Sequence, residues 1–232
     1  MEQAAQRIHT KTINPSILYY GTPVVLLTTL NEDETVNISP ISSSWALGDC
    51  LVLGLGLGGK AIENIERHPE CVLNIPSPSL WENVERLAPL TGKQPVPEGK
   101  KQLGFTYKKD KYGSSGLTPA PSEGVKPTRI LECPLQIEAT VKHIRIPAHS
   151  PDFAIVETQA VHVHAHKEIV LGENHIDPSK WSPLIYNFRH YFGLGEQLAK
   201  TYRAEHKVII VHLFFQQNER RSQQCKVLQL PM

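Results

Sequence analysis

Short runs rich in Val, Ile and Leu, separated by prolines and glycines, set the pattern of this chain and predict strands instead of a helical bundle. Pro23 to Leu30 (PVVLLTTL) is a nearly continuous apolar run. The polar tetrapeptide Asn31 to Glu34 follows, and Thr35 to Ser39 resumes an extended pattern, which reads as a β-hairpin. Cys50 to Leu57 (CLVLGLGL) reads as a strand, and its glycines, with Gly58 after them, leave one face open to another backbone or a flat ligand. Leu135 to Val141 alternates strictly between apolar and polar residues, the period of a half-buried strand, and Phe153 to Val170 is a second, longer extended segment.

Helical spacing is rarer. Lys60 to His68 places Ile62 and Ile65 three apart among charged residues and stops before Pro69, as a short amphipathic helix would. Glu70 to Ile75 returns to strand. Ser79 and Glu82 form a capping-box pattern ahead of Val84 and Leu87, predicting a second helix over about residues 80 to 88. Residues 91–130, with prolines at 95, 97, 119, 121 and 127, read as a long loop, a lid over a site. The domain organisation expected is one domain over residues 1–207 and a tail of unknown role over 208–232.

Composition narrows the classes. At 232 residues and 40% apolar content the chain can bury a sizeable core, and 24 Lys+Arg against 23 Asp+Glu supply no field for wrapping nucleic acid or gripping an anionic membrane. The longest apolar stretches fall short of the ~20 residues of a membrane span, and Met1 to Thr10 lacks a signal-peptide core. Cys50, Cys71, Cys133 and Cys225 form no C-x-x-C pair, which argues against a zinc ribbon or a disulfide scaffold. A soluble cytoplasmic protein is expected.

Two segments carry candidate chemistry. Asn37 to Leu47 (NISPISSSWAL) brings small hydroxyl and amide groups and a tryptophan out of a strand together. It can hold a polar heteroaromatic ring edge-on, or its hydroxyls can satisfy their own bend. Gly58-Gly59-Lys60 opens a helix, where free N–H groups, the dipole and a lysine suit a phosphate, although a glycine before a helix is common. Together they suggest a nucleotide-like ligand.

The ordered set T-V-N-I-S-P-I-S-S-S-W, G-K-x-x-x-N-I-x-x-x-P-E-C-V-L-N-I-P-S (Gly59 to Ser77), K-D-K-Y-G-S-S-G-L-T-P-A-P-S (Lys109 to Ser122), E-C-P-L-Q-I-E-A (Glu132 to Ala139) and F-R-H-Y-F-G-L-G (Phe188 to Gly195) resembles the flavin reductase-like, FMN-binding split-barrel family that includes flavoredoxin. The likeness spans roughly residues 14 to 205. It implies a mainly β protein, a homodimer of six-stranded antiparallel split barrels with a few short helices, binding FMN non-covalently. The resemblance assigns cofactor contacts to Asn37, Ser39, Pro40, Ile41, Ser42, Ser43, Ser44 and Trp45 along the ring and ribityl chain. The segment matching Lys60 to Asn64 meets the phosphate in such proteins; Gly58 and Gly59, at the helix start, and Arg189 are further candidate contacts on their own residues. Members often carry threonine after the basic residue, and this chain has Ala61, so one hydroxyl contact is absent or replaced by Ser42 or Ser44.

The reaction implied is NAD(P)H-dependent reduction of flavin, or of a small acceptor through it, with hydride chemistry carried by the flavin and no acid, base or nucleophile required. The alternative is a non-enzymatic FMN carrier reduced by a partner protein. A third reading, a metal-dependent hydrolase, would centre on His162, His164 and His166. These share one strand face but stand ~6 to 7 Å apart per step, too spread for bonds of ~2.0 to 2.1 Å to one ion, so a solvated or partner-facing strand is expected and no metal. The six lysines from Thr91 to Lys111 read as a solvated lid or as capture of an anionic nicotinamide nucleotide. The aromatic segment Tyr186 to Phe192 is core or dimer seam, and Arg189 within it either reaches a phosphate or does not.

Overall fold

A computed structural model describes residues 8–201. The chain divides into two compact units, Met1–Leu194 and Gly195–Met232. Of the second, only residues 195–201 are described, and they have no regular secondary structure. The boundary expected after residue 207 and the tail beyond it lie outside the described residues.

The first unit is built on a seven-stranded antiparallel sheet. Its strands are β1 (Val25–Leu30), β2 (Val36–Ile41), β3 (Ser44–Leu47), β4 (Cys50–Gly56), β5 (Glu70–Ile75), β6 (Leu135–Arg145) and β7 (Phe153–Ala165), in the order β2-β1-β5-β6-β7-β4-β3. The two edge strands, β2 and β3, are consecutive in the chain. Pairing of β2 ends at Ile41 opposite Val25, and pairing of β3 begins at Ser44 opposite Leu53, so Ser42 and Ser43 alone join the edges. Three Cα–Cα steps reach at most about 11 Å. The sheet must therefore curl until its edges nearly meet, giving a split half-barrel. The expected count of six strands becomes seven because the serine bend breaks the ladder, and the chain pairs again on the far edge as β3.

The apolar run before the hairpin is explained by burial on both faces. Val25 and Leu27 face the barrel interior with Leu53, Leu55, Ile62, Ile65 and Val156. Leu26, one residue out of phase, joins an outer core with Ile38, Val84, Leu87, Leu117, Ile130 and Leu184. At about 1.5 to 3 kcal/mol per fully buried aliphatic side chain, each cluster is a substantial part of the fold's stability.

Helix α1 (Lys60–Arg67) lies on the barrel mouth with Ala61, Ile62, Asn64 and Ile65 buried, as its spacing predicts. Helix α2 (Trp81–Leu87) forms where expected, but the capping box does not. A 3-10 turn over Pro78–Leu80 precedes it, Leu80 occupies the cap, and Ser79 Oγ pairs with Ser77 Oγ at 2.8 Å. Proline at the first position of that turn winds the chain one turn early, which moves Ser79 inside the helical segment.

The 91–130 excursion is more ordered than its composition suggests. It contains α3 (Glu98–Gln102) and α4 (Lys111–Ser115) and buries Leu117, Ala120, Val125 and Ile130. A small sheet of Tyr20–Pro23, Ile185–Asn187 and His190–Phe192 completes the unit, an element the aromatic segment did not announce.

His162 is exposed, but the other two histidines are not simply solvated. His164 Nε2 lies 2.7 Å from Oε1 of Glu138, a wholly buried carboxylate on the neighbouring strand, and His166 Nε2 lies 2.8 Å from the Leu131 carbonyl. The N–H groups of Glu123 and Gly124 donate to the same Glu138 carboxylate at 2.9 and 2.6 Å, so this face grips the end of the excursion. The neighbouring Val161 and Val163, towards the end of β7, are exposed. Among the described residues, no three His, Cys, Asp or Glu side chains gather as a metal centre.

Candidate functional site

The slit between the barrel edges opens into a cavity of about 450 Å³. One wall is the serine segment: Ser39, Pro40, Ile41, Ser42 and Ser43 all line it. Ser43 is held twice, its carbonyl accepting the Gly54 N–H at 2.8 Å and its hydroxyl paired with the Tyr19 hydroxyl at 2.7 Å. Ser42 makes no hydrogen bond to any described residue, leaving its N–H and hydroxyl for a ligand. A Cβ on Gly54 would stand 3.0 Å from the Ser43 Cβ, so glycine is what lets the bridge lie flat on β4.

The floor is the start of α1, with Gly58, Gly59, Lys60, Ala61 and Ile62. The first N–H groups of a helix have no partner within it, and here no side chain caps them. A third wall comes from the excursion: Leu90, Thr91, Gly92, Lys100, Phe105 and Lys111. Tyr19, Tyr186 and Tyr191 close the remaining side, with ring centroids 5.6 Å apart for the first pair and 5.9 Å for the second. The Tyr191 hydroxyl donates to Glu85 at 3.0 Å, and burial, with that carboxylate beside it, pushes the phenol well above its ordinary range. Tyr191 therefore acts as a neutral donor and a flat wall.

Other residues singled out from the sequence stand elsewhere. Asn37 is buried behind the wall, its amide donating to Ser39 Oγ at 2.9 Å and packing against Gly92. Asn64 points into the hairpin, donating to Thr29 Oγ1 at 3.0 Å and Asn31 Oδ1 at 2.9 Å; its place on the buried face of α1 turns it from the cavity. Ser44 and Trp45 have already joined β3, and Trp45 is 59% exposed. Arg189 sits exposed at a hairpin tip with φ 69° and does not line the cavity. Sequence reasoning in turn missed Tyr19 and Gly92 as site residues, and it named Lys100 and Lys111 only within a lysine-rich segment read as a solvated lid or as capture of an anionic nucleotide. Only Lys111 had a local signal, the K-D-K-Y-G-S-S-G run in which Asp110 caps α4 by accepting the Gly113 N–H at 2.8 Å.

Charge is distributed unexpectedly. Lys60 Nζ lies 2.7 and 2.9 Å from the two carboxylate oxygens of Glu32 and 2.5 Å from Oε1 of Glu63. Burial alone would lower its pKa, but the two glutamates outweigh burial and raise it. Lys93 pairs with Glu63 at 3.0 Å and Lys109 with Asp33, so these two cations of the lid are strapped to α1 and the hairpin turn. Glu32, Asp33, Lys60 and Lys109 border a second, polar recess of about 280 Å³ that shares Lys60 and Gly92 with the first.

Comparison with known proteins places these features in a family. Residues 17–195 match the family described as flavin reductase like domain. The chain is 67% identical over 195 residues, 84% of its length and 94% of the relative's, to the uncharacterized protein YdfE of Bacillus subtilis (strain 168). Among solved structures it is similar to flavoredoxin of Desulfovibrio vulgaris (Miyazaki F), at TM-score 0.69 and 22% identity over 84% of this chain and 99% of the other. It is also similar to nitrilotriacetate monooxygenase component B from Bacillus cereus, at TM-score 0.66 and 16% identity over 84% and 100%. At these identities the two structures speak for the fold.

Proposed function

The chain belongs to the flavin reductase-like domain family, and from that premise we propose that it binds FMN non-covalently in the barrel-edge cavity and reduces the flavin, or a small acceptor through it, with electrons from NADH or NADPH. The family makes it a flavin-related oxidoreductase or flavin carrier. The observation that carries the finer reading is the unpaired Ser42 on a wall that Ser43, Tyr19 and Gly54 hold rigid.

The donor set fits the group. A cavity of about 450 Å³ falls within the ~300 to 1,000 Å³ of small-molecule sites. It offers backbone and hydroxyl donors along the serine segment for a polar ring edge, tyrosine faces for a flat ring, and free helix N–H groups. When bound, a flavin supplies hydride and single-electron chemistry. The protein's own part is to fix the ring against the serine segment, to keep water off one face with Tyr186, Tyr191 and Phe105, and to set the charge around the ring. None of these steps requires a protein acid or base. Trp45 and Leu47, exposed on the edge strand β3, are the apolar surface on which the homodimer would close.

A visible spectrum of protein incubated with FMN and desalted tests the cofactor, and steady-state oxidation of NADH and NADPH tests the reaction. Retained yellow colour with turnover is expected. Colour without turnover would identify the carrier, and a colourless protein that takes up no added FMN would overturn the reading.

A further inference from the structure

Lys111 is the first residue of α4, is 1% exposed, and lines the main cavity. Its ammonium has no hydrogen bond or ion pair among the described residues. Burial, with Lys100 nearby, pushes it down to about 8, the direction of a cation without a balancing carboxylate. Lys100 lines the same cavity, with its Nζ 5.7 Å from the Phe105 ring centroid and no carboxylate partner among the described residues. Burial and Lys93 lower it as well.

The contrast with Lys60 decides the assignment. Lys60 and Lys93 stand against Glu32 and Glu63, so that end of the cavity is already neutral. An arriving phosphate would have to compete with two carboxylates for Lys60. At Lys111 it would meet a desolvated cation whose field nothing cancels, where a charge-assisted contact is strongest. The charged groups on α2, which packs against α4, are themselves engaged: Arg86 donates to the Ser115 carbonyl at 2.9 Å and lies 3.6 Å from Glu82, and Glu85 accepts from Tyr191. A buried, unpaired ammonium is costly to keep, and a ligand anion would remove that cost.

We infer that Lys111, with Lys100 beside it, is the anion seat of the cavity and receives a phosphate or pyrophosphate group of the ligand in place of Lys60. This rests on the nucleotide-ligand reading above, and the phosphate can come from the flavin or from a nicotinamide nucleotide.

Lys111→Met removes the charge while keeping an unbranched side chain one atom shorter, and no hydrogen bond or ion pair of the ammonium among the described residues is lost with it. The test compares parent and variant for binding of FMN, riboflavin, NADH, NADPH and inorganic pyrophosphate by fluorescence or calorimetry at pH 7. FMN weakened at least tenfold with riboflavin within about twofold would place the flavin phosphate at Lys111. Unchanged FMN with the nicotinamide nucleotides weakened tenfold would place theirs. If the parent binds no flavin yet binds pyrophosphate and the variant does not, the flavin reading fails and the anion seat stands. Equal affinities for every anion in parent and variant, equal weakening of FMN and riboflavin, or no binding of any of these anions by the parent would overturn the inference. Lys100→Met should give a smaller loss in the same direction.

Discussion

Ser43 and Gly54 touch at one lip of the slit, where the β3–β4 pairing runs on into the serine bend: the Gly54 N–H donates to the Ser43 carbonyl at 2.8 Å, and a Cβ on Gly54 would lie 3.0 Å from that of Ser43. This one approach joins the edge that β2 leaves to the edge that β3 enters, and it holds the cavity wall. Gly54→Val is expected to push the serine segment off β4, at about 1 to 3 kcal/mol for overpacking, and to weaken FMN binding at least tenfold. Thermal unfolding and a flavin-fluorescence titration of the same protein check both parts.

The pairing of Lys60 with Glu32 changes what its removal should do. Lys60→Ala takes away a cation already balanced by two carboxylates, so its effect on FMN affinity should stay within about threefold, well short of a full charge-assisted contact of ~1.5 to 3 kcal/mol. Glu32→Gln should act oppositely and strengthen binding about two- to fivefold at low ionic strength, with the gain disappearing in about 0.5 M salt. A tenfold loss in Lys60→Ala would return the phosphate to that lysine.

Lys111 also makes a prediction about stability. Its pKa is near 8 in the folded protein against 10.5 for an ordinary lysine. Between those values the unfolded chain holds the proton and the folded protein does not, so this group's contribution to stability rises with pH through that window. Below pH 8 both states are charged, and the folded one bears the cost of burying the charge. Ligand-free Lys111→Met should therefore melt higher than the parent at pH 7, with the advantage shrinking from about pH 8 to 10.5. Calorimetric scans across that range decide it.

His164 and Glu138 form the lock of the excursion. Burial alone would raise the Glu138 pKa, but the N–H groups of Glu123 and Gly124 and the His164 ring outweigh it and lower it. Its stabilisation is thus present above the ordinary glutamate range and lost as pH falls through the lowered folded value. His164→Ala, leaving a buried carboxylate short of a partner, should cost about 1 to 3 kcal/mol. Faster amide exchange at residues 121–126 is expected, with FMN affinity nearly unchanged. Exchange mass spectrometry locates the effect.

Local pattern alone determined much of this protein. Chain-local periodicity was enough for the hairpin at 31–34, for α1 between Gly59 and Pro69, and for strands β4 to β6, because side-chain period and Pro/Gly punctuation are properties of neighbouring residues; the segment read as extended from Phe153 to Val170 leaves the strand at Ala165 and turns over Lys167–Ile169. The ordered motifs were enough for the family. The serine segment was legible too, since few apolar strands end in a cluster of small hydroxyl residues. What only the tertiary structure decided is which charges meet. Glu32 and Lys60 are 28 residues apart, and Lys100 and Lys111 come from what read as a solvated lid. His162 and His164 lie on β7 while His166 falls past its end, and Glu138 lies across a strand pair whose bulges shift the register at Glu138 and again near His143. A lysine's role depends on the low-dielectric surroundings and counter-ions that long-range packing brings to it. Those are set by how the sheet curls, which no local window of sequence contains.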